Sequence, residues 1–373
     1  VFEILLDPQH LPFWILILGI IAVAIAVISR PFSTYARFVY PNAKFEAIGN
    51  PFLHDKNLDP LMESKVLSSF IEHLNSMKDY NLEGETPAAI QRSLDTHFLS
   101  MLSMMKRDSS KAMASFYEVY LHMQDMVVIK NSVFSLLYHK ELPDHIDQAL
   151  LPDTQEFLQK LKEAEEQQLS EIFREYGFPQ ELLDLIDKKE VDISLLDAQF
   201  DRYSMSLLNA VHVPYKCEKG KQAFIKTYLD LLNMKHLLRA KQLHIDKDSI
   251  QRYYLGEGRE IPPWKFTELA QVETIPQIIS GLEGTSYYEA LMKAMDAYNK
   301  EQSTQSLETA LDHLLLHKIA EISSQYYATI GPTLRFLISK QFEMRNLKII
   351  AKAVSEGLSP PHMKPLLVTE GSL

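Results

Sequence analysis

Leu11 to Ile28 is an unbroken apolar run, and beyond it apolar positions recur at helical spacing. Leu67, Phe70, Ile71 and Leu74 fall at i, i+3, i+4, i+7, one apolar face of a helix. Thr86-Pro87 predicts the next helix start, with a Thr cap before a first-turn proline whose missing N–H costs nothing. The same pattern predicts helices over 154–175, 192–212, 286–299 and 303–328, and longer ones over 218–245 and 332–356. Leu142-Pro143, Ile261-Pro262-Pro263 and Leu358 to Pro361 close the stretches downstream. Strand-like alternation is nowhere sustained, so the expected fold class is all-α.

A two-part pattern recurs three times inside these helices. Its first part is apolar-x3-apolar-Asp-x3-apolar-x2-apolar, centred on Asp95, Asp201 and Asp312. Its second part is a short segment from an acid to a lysine: DMVVIK ending at Lys130, DLLNMK at Lys235 and EMRNLK at Lys348. Counted from the Asp of the first part to the acid of the second, the gap is 30, 29 and 31 residues. A period near 110 residues therefore divides the chain into an anchor over 1–28, a connector over 29–52 and helical repeats over 53–150, 151–262 and 263–373. Pro31, Pro41, Gly49 and Pro51 predict that the connector is broken, with a short helix around Ala43–Ile48. Within each second part the acid and the lysine stand five apart, or about 140° around a helix, too far round for an i,i+4 pair. The lysine is then either a solvated surface residue or the partner of its own copy's Asp. The second reading predicts Asp95–Lys130, Asp201–Lys235 and Asp312–Lys348 between antiparallel helices, fixing register more than adding stability.

The uncharged run of 18 residues reaches about 27 Å as a helix, close to a hydrocarbon core of about 30 Å. Trp14 stands at one end, where an interfacial aromatic belt places such rings. Glu3 and Asp7 precede the run, while Arg30, Arg37 and Lys44 follow it. The positive-inside rule puts the body on the cytoplasmic side of a cell membrane and the N-terminus outside. With no basic stretch before the run, the reading is an uncleaved anchor.

Composition narrows the chemistry. Twelve glycines in 373 residues suit long helices rather than tightly turned sheets. A net charge of −11 without a basic stripe argues against nucleic acid. The single cysteine, Cys217, allows no internal disulfide and no Cys-based zinc site, and its position suits inert packing. His313 and His317 have metal-like H-x3-H spacing, but no Glu follows His313 as a zincin requires. Phosphate-binding glycine loops, nucleophile elbows and Asp-rich diphosphate motifs are missing from the sequence. The expectation is a noncatalytic chain with no cofactor and no metal.

EMRNLKIIAKAVSEGL (343–358), DLLNMKHLLRAK (230–241), YPNAKFEAI (40–48) and SLETALDHLLLHKI (306–319) together resemble the C subunit of archaeal A-type ATP synthases, the counterpart of the V-type ATPase d subunit. The similarity spans about 40–370. Two departures are visible: an apolar N-terminal segment that is not general in that family, and Val127-Val128-Ile129 where the third copy has Arg345-Asn346-Leu347. The resemblance implies a funnel-shaped, pseudo-threefold helical body. It implies a socket between the central-stalk subunits of the ATPase head and the proteolipid ring, coupling ion flow to ATP synthesis or hydrolysis. The apolar segment adds membrane lipid as a partner. The alternative is a membrane-anchored helical-repeat adaptor unrelated to rotary ATPases.

Overall fold

A computed structural model describes residues 8–49, 55–77, 79–139, 149–164, 168–188 and 191–370. Among the described residues all regular structure is helical. The longer helices are α1 (Leu11–Gly49), α2 (Pro87–Asp108), α3 (Ala114–His139), α4 (Ile193–Ala210), α5 (Glu218–Gln242), α6 (Ser286–Glu301), α7 (Gln305–Gln325) and α8 (Gly331–Ser355). Local chemistry sets several of their ends. Thr86 accepts from Ala89 N at the start of α2, and Asp192 accepts from Leu195 N at the start of α4. The turn from α7 into α8 needs Gly331, because a Cβ there would lie 2.5 Å from the Ser323 carbonyl and 2.8 Å from that of Tyr326. Leu142-Pro143 lies outside the described residues.

The first-part aspartates sit on α2, α4 and α7, and the second-part lysines on α3, α5 and α8. These six helices form a closed cycle of pairwise packing: α2 on α3, α3 on α4, α4 on α5, α5 on α7, α7 on α8, and α8 back on α2. Apolar residues of all six, among them Leu94, Ile129, Leu196, Met234, Leu311 and Leu347, belong to one continuous buried core.

Two sequence expectations need correction. The predicted helix over 154–175 is two helices, Pro152–Glu163 and Leu169–Tyr176, with Ala164 extended at the end of the first. A straight helix would hold Phe157 and Phe173 about 24 Å apart. Folding back brings their rings to 5.2 Å and Phe157 to 4.4 Å from the Tyr176 ring, burying an aromatic cluster. Over 29–49 the predicted break is also absent, since α1 runs through Pro31 and Pro41 to Gly49, while Pro51 lies outside the described residues. Each interior proline costs about 3 kcal/mol. Set against that, Thr34, Phe38, Pro41, Asn42 and Phe45 form one buried stripe at helical spacing, and a fully buried Phe contributes about 1.5–3 kcal/mol. Asn42 adds hydrogen bonds to the carbonyls of Tyr327 (2.7 Å) and Thr329 (2.9 Å).

Candidate functional site

The lysine of each copy reaches the aspartate of the next. Lys130 Nζ lies 2.7 Å from Asp201 Oδ1, Lys235 Nζ 2.6 Å from Asp312 Oδ1, and Lys348 Nζ 2.5 Å from Asp95 Oδ1. The within-copy pairs expected from the sequence, Asp95–Lys130, Asp201–Lys235 and Asp312–Lys348, are therefore replaced by pairs between copies: first to second, second to third, third to first. The lysines are not solvated surface residues. Their angular offset from the acid aims them across the α3–α4, α5–α7 and α8–α2 seams.

Two of the aspartates also hold a base from their own copy. Asp201 Oδ2 meets His236 Nε2 at 2.8 Å, and Asp312 Oδ2 meets Arg345 Nη1 at 2.7 Å. One turn earlier on the same helices, Asp197 binds Lys130 and Arg239, and Glu308 takes a fork from Arg239. Burial works against the charged form of Asp201, but the Lys130 ammonium and the His236 hydrogen bond outweigh it and hold the carboxyl well below its usual range. Asp95 has only Lys348 against its burial, and its carboxyl is pushed up. Asp197, Asp201 and His236 lie close enough together to hold a metal ion. The Lys130 ammonium already stands between the two carboxylates, supplying the positive charge a cation would bring.

The second-part acids face elsewhere. Asp125 accepts from the backbone N–H groups of Leu150 and Leu151, and Asp230 from those of Arg259, Glu260 and Ile261 and from the Tyr287 hydroxyl. Each thus pins the chain that follows its own helix. Burial pushes the Asp230 carboxyl up to about 6, while these donors pull the other way. Glu343 departs from this pattern and pairs with Lys340 and the Tyr80 hydroxyl. The motif asparagines do related work. Asn233 bonds Gly256 O and Leu255 N, and Asn346 bonds Val368 O and Val368 N. Val128 holds that position in the first copy, where no such clip can form. Asp197, Arg239, Glu308, His236 and Arg345 were missed from sequence. The available signal was the acid one turn before the aspartate in the second and third copies, where the first has Gln91.

Asp95, Lys235, Asp312, Arg345, Lys348 and Tyr228 line a cavity of about 960 Å³ inside the cycle. Asp95 pairs there with Lys348, and Asp312 with Lys235 and Arg345. The two candidate histidines have separate partners: His313 Nδ1 meets Thr369 O at 3.0 Å, while exposed His317 meets Glu321. Cys217 is buried, which pushes its thiol up to about 12. At the other end of the body, Trp14 and Arg37 are exposed on α1, and the Arg30 guanidinium stacks 4.4 Å from the Tyr215 ring centroid.

The family model described as "ATP synthase (C/AC39) subunit" matches residues 41–365, which hold all six helices of the cycle. The chain belongs to that family. Among its relatives is the C subunit of the A-type ATP synthase of Methanocaldococcus jannaschii, 28% identical over 355 residues, covering 90% of this chain and 87% of the relative. The protein of the same name from Methanobrevibacter smithii is 28% identical over 354 residues, covering 91% and 90%. That from Pyrococcus abyssi is 26% identical over 355 residues, covering 89% and 90%. The family match opens at Pro41, so the apolar run of α1 lies outside it.

Proposed function

We propose that this chain is a noncatalytic coupling subunit of a rotary A-type ATP synthase, standing between the central stalk of the ATP-hydrolysing head and the proteolipid ring. The observation that carries this reading is the six-helix cycle locked by three inter-copy ion pairs around an open cavity. Torque transfer needs a body that does not shear, and close-packed helices joined at every seam supply one. The three copies form a pseudo-threefold body, divided as 53–150, 151–262 and 263–373, with no bound cofactor in its work.

The two ends of this body differ in a way that supports an orientation. Cavity residues come from the Gln91–Phe98 part of α2, the Tyr228–Lys235 part of α5 and the Gln341–Lys352 part of α8. Contacts to α1 come instead from Asp108 at the C-terminal end of α2, from Tyr215 just ahead of α5 and from Phe336 near the start of α8. The cavity accordingly receives the stalk, and the α1 end faces the ring. Residues 11–28 cross the membrane with Arg30 and Arg37 cytoplasmic and the N-terminal side outside.

The test is removal and re-addition. A complex stripped of this chain should keep ATP hydrolysis in the head and lose ATP-driven ion translocation, which returns when the chain is added back. Undiminished translocation without the chain would refute the coupling role and favour an adaptor.

A further inference from the structure

Nothing between Leu11 and Ile28 is buried, and no hydroxyl, amide or charged side chain occurs there. Yet this rod is not loosely tethered. The same helix continues without a break into the body, and between Arg30 and Phe45 it meets all three copies. Lys44 pairs with Asp108 at the end of α2, in the first. Arg30 stacks on Tyr215 just ahead of α5, in the second. Phe45 packs on Phe336 of α8, with ring centroids 5.4 Å apart, and Asn42 bonds the carbonyls of Tyr327 and Thr329, in the third.

A helix fixed to the outer wall of a three-part cycle meets one part or two neighbouring parts. Contact with all three points to an origin near the line where the copies meet, which is the line about which such a body turns. From this we infer that residues 11–28 form a fixed axle in the lumen of the proteolipid ring, surrounded by the lipid acyl chains that the ring encloses. The inference rests on the coupling-subunit reading. A rigid rod projecting outside the ring would be carried once per turn into whatever stands still beside the ring, whereas a rod on the axis rotates in place. Its surface suits lipid, since its one side-chain donor, the Trp14 indole, is taken by the Pro8 carbonyl and none is left for a neighbouring helix. Arg30 and Arg37 then stand at the cytoplasmic mouth of the lumen, where anionic headgroups meet them.

Ile21 lies mid-span and is exposed. In the Ile21→Cys chain the native Cys217, buried with its thiol pushed up, leaves the new cysteine as the reactive one. The chain is labelled there with a fluorophore and added back to the stripped complex in vesicles. Nitroxide-labelled phospholipid is then introduced from the bulk bilayer. A control complex carries the same fluorophore on the outer, lipid-facing side of a proteolipid helix. Quenching at Ile21 several-fold weaker than at the control supports the lumen; quenching equal to the control overturns it. Recovery of the labelled chain with stalk and ring subunits is scored in the same preparation. Failure to co-purify overturns the coupling reading and the axle with it, whereas co-purification with full quenching overturns the axle alone.

Discussion

Lys130 and His236 each take one oxygen of Asp201, as Lys235 and Arg345 do at Asp312. Because its folded-state carboxyl is held below the unfolded value, the stability it adds is fully present above about pH 4 and is lost as pH falls toward the folded value. Asp201→Asn should cost about 2–4 kcal/mol at pH 7, and the gap to wild type should narrow below pH 4. Denaturant titration of the detergent-solubilised chain across pH 3–7 checks this, and a gap independent of pH would contradict it. Gly258 is a second single-residue test. A Cβ there would lie 1.7 Å from Asp230 Oδ1, so Gly258→Ala must push the carboxylate off the three N–H groups it caps. A loss of more than about 2 kcal/mol is expected in the same assay. His313→Asn combined with His317→Leu should leave ATP hydrolysis by an assembled complex unchanged. A selective loss of turnover would restore those residues as chemistry.

Helices pair across copies, and this is measurable. A double-mutant cycle between Asp95→Asn and Lys348→Met should give a coupling energy of about 1–3 kcal/mol, while Asp95→Asn with Lys130→Met should give close to none. The reverse result would restore the within-copy pairing. Most helices were legible beforehand because their signal is local. The apolar periodicity over 192–212 and 332–356 gives α4 and α8 with ends shifted by no more than two residues. The split near Ala164 was not legible, since it follows from Phe157 meeting Phe173 and Tyr176 in space. Nor was the continuity of α1, where burial of Phe38 and Phe45 and the Asn42 bonds offset two prolines.

At the scale of the whole molecule, the third ion pair joins positions 253 residues apart and closes the cycle between α8 and α2. The apolar span of α1 adds nothing to that closure, because none of it is buried. Removing residues 1–28 should therefore change the unfolding free energy of the body by less than about 0.5 kcal/mol while abolishing retention in vesicles. A large loss of stability would mean that the apolar span packs on the body.

The sequence by itself determined the helical class, the threefold recurrence of the Asp and Lys signatures and the apolar span. Each is written in local spacing, and local spacing fixes which residues share a helix face. It also showed that acid and lysine serve different faces, through the 140° between them. Only the tertiary structure decided which aspartate each lysine meets, because the partner depends on which helices become neighbours around the cycle. The same holds for the body's two unlike ends and for the grip of all three copies on α1. Those are relations among segments up to 287 residues apart, and no periodicity along the chain encodes them.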